Sequence, residues 1–225
     1  MIIDSALSKN EEGGLKMRLI KIHMYAWIAL FFIPAFGLNA ITVHDHTLVV
    51  KAVIENYDQL SKRLPPNPSF YDIVSQALSL NQIDPHTKNI MKEVLEYYPQ
   101  VNEKIKSMNK EHRRIIGEIS DRLNYCTNIN NVIDTLQSII NTKTYKDYPE
   151  VTTAIKLAIS IAKDGASTIY NPSWLPNTQI TMKTSLLGFI LSDIIGGIAG
   201  GITGGWVGGI VGSIAASLLY LVGHI

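Results

Sequence analysis

A single cysteine, Cys126, excludes an internal disulfide and any metal cage built from thiolates alone. A lone thiol fits an intracellular protein, and equally an exported bacterial protein that forms no disulfides, so it leaves the compartment open. Excess charge of either sign is also lacking: Lys and Arg number 20 against 19 Asp and Glu, and beyond Ala40 the two signs balance. Phosphate binding needs a clustered basic excess, so nothing here points to nucleic acid. The run His112-Arg113-Arg114 is too short to change that and reads as a solvated helix face. No phosphate-cradling loop is present, because the glycines have neither a following Lys-Ser/Thr nor a strand–turn–helix setting. The most informative absence is local: Ile194 to Ile225 contains no Asp, Glu, Lys or Arg, and His224 is its only side chain of a type that ionises near neutral pH.

Chemistry-bearing constellations are scarce. His44-Asp45-His46 offers ligand atoms, but adjacent side chains on one segment rarely converge on a metal, and a capping cluster at a helix start is the preferred reading. Cys126 would need a histidine beside it to act as a nucleophile, and otherwise behaves as a small buried apolar residue. Glu93, Glu96 and Glu103 lie among lysines at helical spacing, as on a solvated face. The expectation is a non-enzymatic protein with no catalytic residue, metal, cofactor or small-molecule substrate.

With 225 residues the chain has room for one domain plus targeting or membrane segments. Arg18 and Lys21 precede an apolar stretch, Met24 to Ile33, followed by Pro34, Gly37 and Leu38-Asn39-Ala40. A basic region, an apolar region of about ten residues and a small residue at the cut describe a secretory signal peptide, with cleavage expected after Ala40. Leu38 is a poor residue at the third place before that cut, which keeps an uncleaved N-terminal anchor in play. Met17 stands directly before the basic stretch, so residues 1–16 read as an upstream extension. A double-glycine leader ending at Gly13-Gly14 is disfavoured, since Glu11 and Ser8 occupy places where it wants apolar residues.

From Asp45 to Gly165 apolar residues recur at helical spacing. Leu48, Val49, Val53, Tyr57 and Leu60 form one stripe, capped by Asp45 or His46 and ended by Pro65-Pro66. A short helix follows Pro68-Ser69. Asp84-Pro85 opens a third, which Pro99 interrupts or restarts. The spacing from Val101 to Leu123 predicts one long amphipathic helix; another starts near Asn128, and a sixth opens at Tyr148-Pro149 and stops at Gly165. Six helices joined by short polar turns predict an all-α bundle. Residues 166–185, rich in turn formers and aromatics, read as a linker, with Tyr170 and Trp174 suited to a membrane interface or to packing on the bundle.

Residues 186–225 form the last of four segments, after the N-terminal 1–40, the helical body 41–165 and the linker. Glycines recur every fourth position at Gly196, Gly200, Gly204, Gly208 and Gly212, and again at Gly197, Gly201, Gly205 and Gly209, with isoleucines and Trp206 between them. Two adjacent rows of period four make a smooth ridge along a helix. Each glycine in a water-exposed helix costs about 1 kcal/mol relative to alanine, so the pattern disfavours an isolated soluble helix. A bilayer enforces helicity and lets a second backbone approach a stripe without Cβ atoms. The uncharged run of 30 positions from Ile194 to Gly223 exceeds the ~20 that a span needs, with Asp193 as its polar boundary. The competing reading is a soluble protein that buries this segment in its own core.

The glycine rows resemble the glycine-zipper segments of bacterial membrane-associated proteins, and the layout is similar to exported bacterial proteins of unknown function with a C-terminal glycine zipper. The resemblance covers about 40 residues and implies helix association in membranes, sometimes pores. The expected fold is therefore an all-α bundle with a membrane-type glycine-zipper helix and an N-terminal signal or anchor helix. Its expected partners are a lipid bilayer and further copies of itself through the tail, at the cell envelope. The alternative is a pore-forming or bacteriocin-like membrane effector.

Overall fold

A computed structural model describes residues 41–169 and 186–223. Ala40, the signal-like segment before it and most of the aromatic linker lie outside the described residues. Among those described, every regular element is a helix.

Helix α1 (Val43–Glu55) is opened by a reciprocal capping box: Asp45 N–H donates to the Thr42 hydroxyl at 3.2 Å, and Thr42 N–H donates to the Asp45 carboxylate at 2.7 Å. The cap is thus Thr42, upstream of the Asp45 or His46 expected from the sequence, because a hydroxyl three residues before a carboxylate satisfies two backbone donors at once. A short helix, α2 (Tyr57–Ser61), follows it. Helix α3 (Phe70–Leu78) repeats the capping device with Ser69 and Asp72, and its buried face is Phe70, Ile73, Val74 and Ala77.

Helix α4 (Pro85–Lys106) starts where Asp84-Pro85 predicts, with Asp84 accepting from Thr87 N–H at 3.0 Å. Pro99 lies inside it, and the helix continues to Lys106. The break comes instead at 107–109, where Asn109 accepts from His112 N–H at 2.7 Å and opens α5 (Lys110–Leu123). The single helix expected from Val101 to Leu123 is therefore two. Met108 in the break is buried, so the apolar spacing persists across an interruption that only the asparagine cap marks.

Asn128 caps α6 (Ile129–Asn141), which buries Val132, Leu136 and Ile139. Helix α7 (Pro149–Thr168) runs past Gly165, which is buried within its last turn and accepts from Ile169 N–H at 2.8 Å. The helix keeps that glycine against the core, so Gly165 does not act as the expected stop. The turn between α6 and α7 is held to α5 by a polar network: Tyr145 and Tyr148 donate to Glu118 and Glu111, and both carboxylates also pair with Arg114.

The last element, α8 (Leu186–Gly223), is broken at Gly205, whose φ of 63° and ψ of −150° reverse the chain. Two antiparallel arms, 186–204 and 206–223, fill the middle of the fold. Helix α7 packs most extensively along them, with α4 and α1 next. Residues from Ile41 to Leu221 belong to one hydrophobic core, in which Val49, Val53, Met91, Val94, Leu157, Ala158, Ile161, Ile194, Ile198, Ile210 and Ile214 are buried together.

Candidate functional site: the C-terminal hairpin

The hairpin is built on its glycines. Counted from the turn, Gly200 lies opposite Gly208, Gly196 opposite Gly212 and Ala216, and Gly188 opposite Tyr220. A Cβ on Gly208 would stand 2.5 Å from the Gly200 carbonyl oxygen, and one on Gly212 equally close to that of Gly196, distances that real side chains do not reach. The backbones therefore meet directly along the row Gly196, Gly200, Gly208 and Gly212. The second row faces α7: a Cβ on Gly201 would press on Ala154 at 2.8 Å, and one on Gly209 on Leu157, while Gly197 has Ile161 and Ser213 at 3.5 Å.

Gly204 and Gly205 differ from the other seven. Gly204 has only Val101 at 4.0 Å, and Gly205 faces open space with a backbone conformation that essentially only glycine adopts. These two make the turn, and Trp206 beside them is half exposed. The single helix of 30 uncharged positions expected from the sequence is thus two shorter ones. Trp206, the one aromatic in a row of isoleucines, was the available sign of where the chain comes to the surface.

Polar groups join the arms where the glycines do not. Ser192 donates to the Ala216 carbonyl at 3.1 Å. Asp193, expected at the polar boundary of a span, is fully buried inside the fold, with Oδ1 2.8 Å from Nε2 of an equally buried His46. Ser213, on the other arm, donates to the same carboxylate oxygen. One carboxylate thus ties α1 to both arms. Local spacing could not reveal this pair, whose members are 147 positions apart. The usable signal was a lone acid in an apolar run, which needs a buried partner if it is not at a surface.

The three consecutive residues His44, Asp45 and His46 diverge. His44 is exposed, 4.0 Å from Asp164 of α7; Asp45 caps α1; His46 points into the core. Among the described residues no three His, Cys, Asp or Glu side chains gather as a metal site. Ser213, Asp193 and His46 share the composition of a hydrolytic triad but not its order, since the serine donates to the carboxylate and not to the imidazole, and all three are sealed from solvent. Cys126 is buried, with its Sγ 3.4 Å from the Thr135 hydroxyl.

Outside the buried contacts, an apolar groove of about 300 Å³ runs between α4 and the hairpin, lined by Tyr98, Val101, Ile105, Ile195, Ala199 and Leu219 among others. Away from the hairpin, Arg114 beside Glu111 holds that carboxyl down to about 2, with the Tyr148 hydroxyl contributing. Burial, followed by the Glu118 charge, pushes the Tyr145 phenol up. Helix α8 is long and apolar enough to cross a membrane, and half of its most apolar window is buried in the fold. No protein-family profile, characterised protein or solved structure matches the chain.

Proposed function

We propose that this chain is an exported, non-enzymatic protein that stores a membrane-directed hairpin within a helical body and delivers it to a lipid bilayer. The observation that carries the reading is the hairpin itself: two apolar arms joined by a glycine turn, close-packed backbone to backbone, with Asp193 as their only Asp, Glu, Lys or Arg. Each arm is on the order of 27 Å long at about 1.5 Å per residue, close to the ~30 Å hydrocarbon core. Inside lipid the arms would keep their mutual contact, because it is made by glycine backbones and needs no water to drive it.

Burial of the arms beneath amphipathic helices favours storage followed by insertion, as in a pore-forming effector, over a tail permanently lodged in the membrane. Self-association would then draw on Gly197, Gly201 and Gly209, which α7 covers in the folded body and would uncover on opening. Incubation of the purified chain with dye-loaded liposomes, followed by flotation, tests the proposal. Co-flotation with dye release is the expected result, co-flotation without release favours a passive anchor, and protein that stays at the bottom of the gradient with no release overturns membrane insertion.

A further inference from the structure

We propose that the turn end of the hairpin is a docking surface for an anionic phospholipid bilayer, on which Trp206 enters the headgroup layer while Lys104, Lys110 and Arg113 meet lipid phosphates. The inference rests on the membrane reading above and deepens it, by naming the lipid charge and the face of the folded chain that reaches it first.

At the turn, the apolar hairpin comes to the surface beside a cation. Gly205 and Trp206 are both exposed, the indole by half. Helix α4 meets the hairpin at Val101, which lies 4.0 Å from the place a Cβ on Gly204 would take. On the turn side of that contact Tyr97, Gln100 and Lys104 line a cleft of about 180 Å³ together with Gly204, Val207 and Gly208. An indole and a phenol near an ammonium suit a bilayer interface, where the rings sit among headgroups and the ammonium on phosphate. The larger groove on the other side of Val101 has no charged residue in its lining.

Helices α5 and α7 bring further positive charge to the same end. Ala154 of α7 lies against Gly201 and Ile161 against Gly197, so α7 approaches its own N-terminus as the first arm approaches the turn. The first turn of α7 therefore sits at that end, where Glu150 is 2.9 Å from His112 and holds the start of α5 beside it. Arg113 donates to the Lys106 carbonyl at 2.6 Å, which ties α5 back to the end of α4. From Glu103 to Arg114 five Lys or Arg stand against two Glu. Lys106 is paired with Glu103 and Arg114 with Glu111. Lys104, Lys110 and Arg113 remain, all exposed and in no ion pair among the described residues. Each cation close to an anionic membrane strengthens binding about fivefold, and none gains comparably from a neutral one.

The test is flotation of the full chain with phosphatidylcholine vesicles, with and without about one-third phosphatidylglycerol, at low salt. The wild type should bind the anionic vesicles at least about tenfold more tightly and release them in about 0.5 M NaCl. K104Q/K110Q should weaken this binding at least about tenfold and W206S about tenfold. Y125S, which removes an almost fully exposed aromatic beyond the opposite end of α5, should leave it unchanged. Equal binding to both vesicle types, wild-type binding by K104Q/K110Q, or a loss in Y125S as large as that in W206S overturns the docking surface. Should W206S fail to fold, W27F/W174F still decides, because Trp206 is then the only one of three tryptophans left. Its emission should shift to the blue and be quenched by brominated lipid, and unchanged emission on bound vesicles overturns the proposal. Dye release separates the two readings. Salt-reversible binding without release defeats membrane delivery and leaves the docking surface, whereas equal release from neutral and anionic vesicles defeats the docking surface and leaves delivery.

Discussion

At the scale of residues, glycine has opposite consequences in two helices. Gly200 has no room for a Cβ, which would overlap the Gly208 carbonyl oxygen, whereas Gly117 in α5 is exposed with nothing within 4 Å. Gly200→Ala should destabilise the fold by about 1–3 kcal/mol, as over-packing does, while Gly117→Ala should stabilise it by about 0.5–1 kcal/mol through helix propensity. Thermal denaturation checks both, each kcal/mol moving the midpoint by roughly 2–4 °C in a chain of this size. Glu111 makes a pH-dependent contribution. Its carboxyl is held near 2 against an ordinary 4.5, so the stability it adds is complete above about 4.5 and is lost as pH falls through about 2. The melting difference between wild type and Glu111→Gln should shrink across that window, and also with added salt, because the pair with Arg114 is exposed.

At the scale of elements, boundaries are set by caps more than by apolar spacing. Ser69 and Asp84-Pro85 announce α3 and α4 in the sequence, and both helices begin there. Asn109 gives no comparable signal, because Ile105, Met108 and Ile115 keep helical spacing through the break and periodicity alone cannot show it. The turn at Gly205 is hidden differently, among Gly-Gly pairs that are alike in sequence. Only one of them sits where the arms can pair Gly200 with Gly208 and Gly196 with Gly212. Gly205→Ala should cost about 1–3 kcal/mol, since its backbone conformation excludes other residues, while the neighbouring Gly204→Ala should cost less. Urea denaturation of the two variants side by side would check the order.

At the scale of the molecule, the hairpin is a large part of the hydrophobic core of the described fold. Ala154, Leu157 and Ile161 of α7 rest on glycines of the two arms, and α4 and α1 close on other faces. A chain ending before Leu186 should therefore keep much of its helical circular dichroism but lose near-ultraviolet signal and bind ANS, as collapsed states without fixed packing do. A truncated body with a sharp melting transition and no ANS binding would show that it folds without the hairpin.

The amino-acid sequence by itself determined the all-helical class, most helix starts and the apolar, glycine-lined character of the tail, because these follow from local spacing and capping chemistry. Tertiary structure alone decided that the tail folds back on itself, that its second glycine row packs on α7, and that Asp193 meets His46. Those outcomes depend on which distant surfaces can approach one another, and a backbone stripe without side chains accepts a partner from its own chain as readily as from another.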